Sequence, residues 1–164
     1  MEILDQIQIL QKIKRMAIEI YERHAEEKHI ILAGINTKGF HVAELLRNEI
    51  ESLSPLKTDC CHIKLNTLDP IRESISIDIK APQFKNKVLI ITDDVANTGR
   101  TLFFACSALM EALPKRVEVA VLVERMHKAF PIHVDYYGLR LATTTKENID
   151  VHLEKGAKWY VQLN

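Results

Sequence analysis

Residues Val88–Ile91 form an unbroken apolar run, VLII, and no other stretch restricts the fold of this chain as strongly. Consecutive large aliphatic residues leave no face for water, so the strand they predict, Lys87–Thr92, belongs inside a sheet covered on both sides. Such sheets are parallel and need crossover connections, usually helices. The remaining sequence supplies the parts. His29–Ile35 (HIILAGI) and Arg116–Val123 (RVEVAVLV) read as further buried strands. Helical spacing of apolar residues runs over Ile3–Glu27, Thr37–Ser52 and Thr98–Leu113. The fold expected is α/β: a mostly parallel twisted sheet with helices on both faces.

Shorter elements fill the gaps. Thr58–Asp69 predicts a strand closed by a turn at Asp69-Pro70. Glu73–Lys80 alternates, with Ile75, Ile77 and Ile79 on one face, and reads as an edge strand or one arm of a ribbon. Ala81–Asn86 reads as a turn, followed later by strands at Ile132–Tyr137, Ile149–Leu153 and Lys158–Leu163, with a turn at Gly138. Thr37 is placed to cap its helix. The first helix sets Ile3, Ile7, Leu10, Ile13, Ala17, Ile20 and Tyr21 on one stripe. Ile9, Met16 and Ile18 widen that stripe, which fits either a thick core helix or a helix shared with a subunit interface. With no repeat and no linker, residues 1–164 are expected to form one domain.

Charge and composition narrow the function. Twenty-two basic residues balance 22 acidic ones, and neither end carries a basic arm of the kind nucleic-acid binders show. No apolar run reaches the ~20 residues that cross a bilayer, so a soluble, cytoplasmic protein without a membrane partner is expected. Cys60, Cys61 and Cys106 lack any paired ligand spacing and read as packing residues in a reducing compartment rather than a zinc site.

The chemistry sits directly after VLII, in Thr92-Asp93-Asp94-Val95-Ala96-Asn97-Thr98-Gly99-Arg100-Thr101. In an open α/β sheet, ligands bind beyond the carboxyl ends of the strands, where this segment lies. Peptide N–H groups from Ala96 to Thr101, backed by the positive end of the next helix, suit a phosphate, and Thr98 and Thr101 add hydroxyl donors. Gly99 lets the backbone turn closely about it. Asp93 and Asp94 are wrong for a phosphate alone but suit the hydroxyls of an adjacent ribose, and they can help hold Mg²⁺. This is neither a Walker loop nor a dinucleotide fingerprint. Each residue alone fits an ordinary turn or cap; the whole pattern between an apolar strand and an apolar helix does not.

At these residues the chain resembles the type I phosphoribosyltransferases, whose signature for phosphoribosyl diphosphate (PRPP) is an apolar strand, two acids and Thr-Gly-x-Thr. It is most similar to the branch of pyrimidine-operon regulators and uracil phosphoribosyltransferases, the PyrR-like proteins. ILDQIQILQKIKRMAIEIYERH resembles that branch's first helix, LAGINTKGFHVAELL its pyrophosphate loop, and LVERMHKAFPIHVDYYGLRLATT the hood segment over the base. The resemblance implies that Asp93 and Asp94 bind the ribose hydroxyls and assist Mg²⁺. It implies that Ala96, Asn97, Thr98, Gly99, Arg100 and Thr101 hold the 5′-phosphate, and that Asn36, Thr37, Lys38 and Gly39 hold the diphosphate. The implied reaction is displacement of diphosphate from PRPP by a nucleobase, with a nucleoside monophosphate as product. It implies a small hood formed mainly by residues 124–155 and a homodimer or larger homo-oligomer. A regulator that senses PRPP or a nucleotide, with RNA as a partner, is the second function the branch allows.

Three departures accompany the resemblance. Asn97 stands where several purine-specific relatives carry an acid that acts on the base. The segment Asp69-Pro70-Ile71-Arg72-Glu73-Ser74 is short where relatives carry a long closing loop with an Arg-Asp-Asp triplet, leaving Arg72 as the catalytic-loop candidate. Leu139, Arg140 and Ala142 replace the hood's Lys-Asn and later Pro.

Overall fold

The structure is a computed structural model that describes residues 1–80, 83–142 and 147–164. In chain order its elements are β1 (Glu2–Asp5), α1 (Gln6–Arg23), β2 (His29–Ile35), α2 (Asn36–Leu53), β3 (Lys57–Lys64) and β4 (Ser76–Ile77). They continue with β5 (Val88–Ala96), α3 (Arg100–Met110), β6 (Arg116–Arg125), β7 (Tyr136–Leu141), β8 (Ile149–His152) and β9 (Tyr160–Leu163). A six-stranded sheet has the order β4-β3-β2-β5-β6-β7, and a separate three-stranded sheet the order β1-β9-β8. In the large sheet every pairing is parallel except β3 with β4.

The period of two in the central strands sorts their side chains between two cores. Ile30, Leu32, Val88, Ile90, Ala120 and Leu122 pack with α1, α2 and the small sheet. Ile31, Ala33, Leu89, Ile91, Val119 and Val121 pack beneath α3. Because both faces are covered, the strands are continuous apolar runs rather than alternating ones.

Several boundaries differ from expectation, each for a visible reason. The first helix begins at Gln6, not Ile3. Asp5 caps it with a reciprocal box: the Gln8 N–H donates to Asp5 Oδ1 at 2.8 Å and the Asp5 N–H to Gln8 Oε1 at 2.9 Å. The four residues before it pair antiparallel with β9, a contact between the chain's two ends that periodicity cannot show. The helix's buried stripe is Ile9, Ile13, Met16, Ala17 and Ile20, while Ile7, Leu10 and Ile18 are exposed. Thr37 does not cap α2; the helix follows Ile35 with no side-chain cap. β3 ends at Lys64, and only Ser76–Ile77 of the expected Glu73–Lys80 strand joins the ladder, although Ile75, Ile77 and Ile79 do face the second core. α3 is confined to Arg100–Met110, with Leu113 in a left-handed conformation (φ 51°) before Pro114. Gly138 lies within β7 instead of forming a turn, and Arg15 of α1 donates to the carbonyls of Tyr137 and Gly138 at 2.7 and 2.8 Å. Ala81 and Pro82 of the expected turn lie outside the described residues.

At the amino end of β6 a buried polar cluster ties α1 to the sheet. Glu118 is 2% exposed and His24 4%. Glu118 Oε2 accepts from Tyr136 Oη at 2.7 Å and lies 2.7 Å from His24 Nε2, while Arg116 Nε is 2.8 Å from Oε1. Burial alone would push the Glu118 carboxyl up; hydrogen bonds from His24 and Tyr136 and the charges of His24 and Arg116 outweigh it and hold it below the ordinary value. Its contribution to stability is therefore present above the usual glutamate range and is lost as pH falls through the folded-state value. Glu118→Gln is expected to cost on the order of 3 kcal/mol in urea denaturation at neutral pH, because it breaks a buried pair. The difference from the parent protein should shrink as the pH is lowered; a difference that stays constant into acid would show that the charge contributes nothing.

Candidate functional site

The site is created by strands of unequal length. The β2–β5 ladder stops at Gly34–Thr92, whereas β5 stays paired with β6 as far as Ala96–Glu124. Asp93 and Asp94 thus project past β2 while still held on their other side. They are part of an extended β5, not of a loop starting at Thr92.

The space beside them is filled by the start of α2. Asn36 turns the chain there with a left-handed backbone (φ 49°). Its side-chain amide bonds both ways to the backbone of Leu65, each at 3.1 Å, so of the expected pyrophosphate-loop residues Asn36 spends its side chain on fixing the end of β3. Gly39 then presses on β5: a Cβ there would lie 2.5 Å from the Thr92 carbonyl oxygen and 3.3 Å from Asp93 Oδ1. Thr92 Oγ1 donates to the Gly39 carbonyl at 2.7 Å. Lys38 consequently points across the gap, with Nζ 3.7 Å from Asp94 Oδ2.

Asp93 Oδ1 accepts the Asp94 N–H at 2.9 Å. Burial, and next the negative charge of Asp94, push the Asp93 carboxyl well above the ordinary aspartate value, against a smaller opposing pull from Lys38. The protein holds a carboxylate where carboxylates are disfavoured.

After Ala96 the chain enters the Asn97–Gly99 turn. Gly99 precedes α3 at φ 84°, a conformation that favours glycine. Asp93 and the residues from Val95 to Leu102 line a cup of about 50 Å³. A larger cleft of about 560 Å³ lies on the other side of α2's start, lined by Asn36, Thr37, Lys64, Asn66 and Glu73 among others. Neither α2 nor α3 has a side-chain cap at its N-terminus, in contrast to the complete box on α1. The two helix starts lie on either side of the acid pair, where N–H groups and the helix dipole favour negative charge; at α3 the Arg100 N–H donates to Thr98 Oγ1 at 3.4 Å.

The expected residues separate into two groups. Asp93, Asp94, Lys38 and Gly39 meet directly, and residues 96–101 wrap the small cup beside them. Arg72 sits in the exposed segment between β3 and β4, where its backbone N–H donates to Asp69 Oδ1 at 3.2 Å. Arg100 reaches that segment too, with Nη2 3.5 Å from the Leu68 carbonyl oxygen. Sequence reasoning passed over Glu124 and Arg125, which are 7% and 8% exposed behind the Asn97–Gly99 turn. The available signal was two charges closing the apolar run of β6.

A doubly covered parallel sheet with an acid pair and a phosphate-sized turn at its carboxyl end defines a class, and comparison with known proteins gives the family. The model of the phosphoribosyl transferase domain matches residues 1–155. The bifunctional protein PyrR of Microcystis aeruginosa is 34% identical over 160 residues, covering 94% of this chain and 90% of the relative. That of Bacillus pumilus is 36% identical over 165 residues, covering 93% and 90%. Among solved structures, the hypoxanthine phosphoribosyltransferase of Trypanosoma cruzi superposes with a TM-score of 0.78 at 14% identity, over 98% of this chain and 94% of that one. A hypoxanthine-guanine phosphoribosyltransferase of Bacillus anthracis gives 0.72 at 19% identity, over 86% and 82%. At those identities the structures show the fold alone. The chain belongs to the phosphoribosyltransferase family.

Two outcomes test the geometry. The folded state binds the Asp93 proton more tightly than the unfolded chain, so the stability it contributes is full at low pH and is lost as pH rises through the folded-state value. Asp93→Asn should therefore raise the thermal midpoint of the ligand-free protein at neutral pH; a lowered midpoint would contradict the strained carboxylate. Gly39→Ala should destabilise by roughly 1–3 kcal/mol through overpacking against β5, measured by urea denaturation.

Proposed function

We propose that this chain binds PRPP with Mg²⁺ and transfers its phosphoribosyl group to a nucleobase, a pyrimidine such as uracil, releasing diphosphate. The observation that carries the proposal is the pair of uncapped helix starts flanking Asp93 and Asp94, with Lys38 reaching across. In this reading the two acids accept hydrogen bonds from the ribose hydroxyls. The peptide N–H groups of Ala96, Asn97, Thr98, Gly99, Arg100 and Thr101 hold the 5′-phosphate. The start of α2 (Asn36, Thr37, Lys38, Gly39) meets the diphosphate, and Arg72 closes over it. As the bond at C1 breaks, negative charge on the leaving diphosphate is met by fixed N–H dipoles and the Lys38 ammonium, so rate comes from placement and electrostatics without a protein nucleophile.

Mg²⁺ fits the donors present. Adjacent carboxylates are hard oxygen ligands, and a cation would relieve the repulsion that raises Asp93. Among the described residues no group of three or more His, Cys, Asp or Glu could hold a metal, so ligand oxygens and water would complete the shell. When bound, Mg²⁺ neutralises diphosphate charge. The small β1-β9-β8 sheet, packed on the α1–α2 core, is our candidate for part of the hood. The exposed Ile7, Leu10 and Ile18 on α1 are our candidate contact for a homo-oligomer. No helix among the described residues is long and apolar enough to cross a membrane, and we place the protein in the cytoplasm.

A second reading, a regulator that senses PRPP or a nucleotide with weak or no turnover and RNA as a partner, draws on the exposed position of Arg72 and on the similarity to proteins named PyrR. Purified protein incubated with PRPP, Mg²⁺ and uracil, then other bases, separates the two. Diphosphate release supports the transferase. Ligand-induced stabilisation of roughly 2.7 kcal/mol at a hundredfold excess over Kd, without release, supports the sensor. The double variant Asp93→Asn, Asp94→Asn should keep its fold and lose PRPP affinity at least tenfold by calorimetry; unchanged affinity would refute the site.

A further inference from the structure

Behind the Asn97–Gly99 turn lies a second chain segment, residues 124–132, several of whose contacts fall on the turn. Arg125, at the end of β6, donates from Nη1 to Asn97 Oδ1 at 2.9 Å. The backbone N–H groups of Ala129 and Phe130 both donate to the Thr98 carbonyl, at 2.9 and 3.1 Å. A Cβ on Gly99 would lie 3.3 Å from Ile132 Cβ and 3.4 Å from Lys128 Cδ. The segment is itself held: Glu124 lies 2.7 Å from Arg140 Nε and 3.3 Å from Lys128 Nζ, and Lys128 Nζ also donates to the Arg125 carbonyl.

Peptide geometry turns this brace into a statement about ligand binding. In a trans peptide the C=O and the following N–H point in opposite directions. With the Thr98 carbonyl drawn outward by two donors, the Gly99 N–H is aimed away from residues 129–130 and into the cup. Fixing Asn97 through its side chain restrains the neighbouring peptide as well. An isolated turn of this kind would have to order its peptides when the phosphate arrives; a braced one has already done so.

We propose that Arg125 is a positioning residue for the 5′-phosphate seat, acting through Asn97. The turn is thereby pre-shaped by β6 and the segment after it, and Asn97 is engaged by protein instead of by a base. This rests on the phosphate-seat reading above and goes further by assigning what holds the seat in shape.

Ribose 5-phosphate is the suitable probe, since it presents phosphate and ribose without committing to a base. In the parent protein, binding followed by calorimetry and amide NMR should shift the Gly99 N–H resonance. Asn97→Ala, at an exposed position, and Arg125→Gln should each weaken binding about tenfold and reduce that shift. The double variant should be no weaker than either single one, because both remove one link. Arg125→Lys should recover part of the affinity. A merely structural Arg125 would lower thermal stability without coupling to Asn97 in affinity. Full affinity in Asn97→Ala, or additive losses in the double variant, would overturn the positioning role alone. Failure of the parent protein to bind ribose 5-phosphate would overturn the phosphate seat itself.

Discussion

Strand β5 keeps its ladder to β6 as far as Ala96, while its other neighbour β2 stops pairing with it after Gly34, ends at Ile35 and turns into α2. The step left between them sets the depth of the site, the side from which Lys38 enters and the exposure of Asp93 and Asp94. It is stabilised by the contact of Gly39 with the Thr92 backbone, where a single added methyl would collide. Fold energetics and site geometry therefore meet at one backbone-to-backbone approach, and a change there cannot alter one without the other.

A buried carboxylate and a half-buried one mark opposite ends of the sheet and show opposite electrostatic treatment. Glu118, at the amino ends, is surrounded by His24, Tyr136, Arg116 and Arg23 and is held ionised. Asp93, at the carboxyl ends, has Asp94 as its nearest charge and is pushed toward the neutral form. The stabilising pair thus lies at the end of the sheet away from the candidate site, and the unfavourable charge lies within it. Such a division is expected where activity needs a strained group and the rest of the domain must compensate.

Much of this was legible in the chain. Apolar runs without polar interruption gave away the parallel strands because burial on both faces demands them, and the candidate segment from Asp93 to Thr101 stood out through residue types that make little sense separately. What escaped was non-local. Leu4 belongs to a strand only because residues near the other end of the chain pair with it. Gly138 looked like a turn because its strand is finished by Arg15 from α1, more than a hundred residues earlier. Nothing local announces the bonds of the Asn36 side chain to Leu65, 29 residues away. Arg125 went unremarked because a charge at the end of an apolar strand ordinarily marks solvent.

The contact of Arg15 with Tyr137 and Gly138 also bears on how the sheet behaves in a crowded solution. An open outer strand offers unpaired carbonyls as a template for another chain. Here Arg15 of α1 engages the consecutive carbonyls of Tyr137 and Gly138 on the outer strand β7, and at the opposite edge β4 offers a ladder only two residues long. The short β4 ladder leaves an added strand little to pair with on that flank. Losing Arg15 would release α1 from the outer strand β7 without touching Asp93, Asp94 or Lys38.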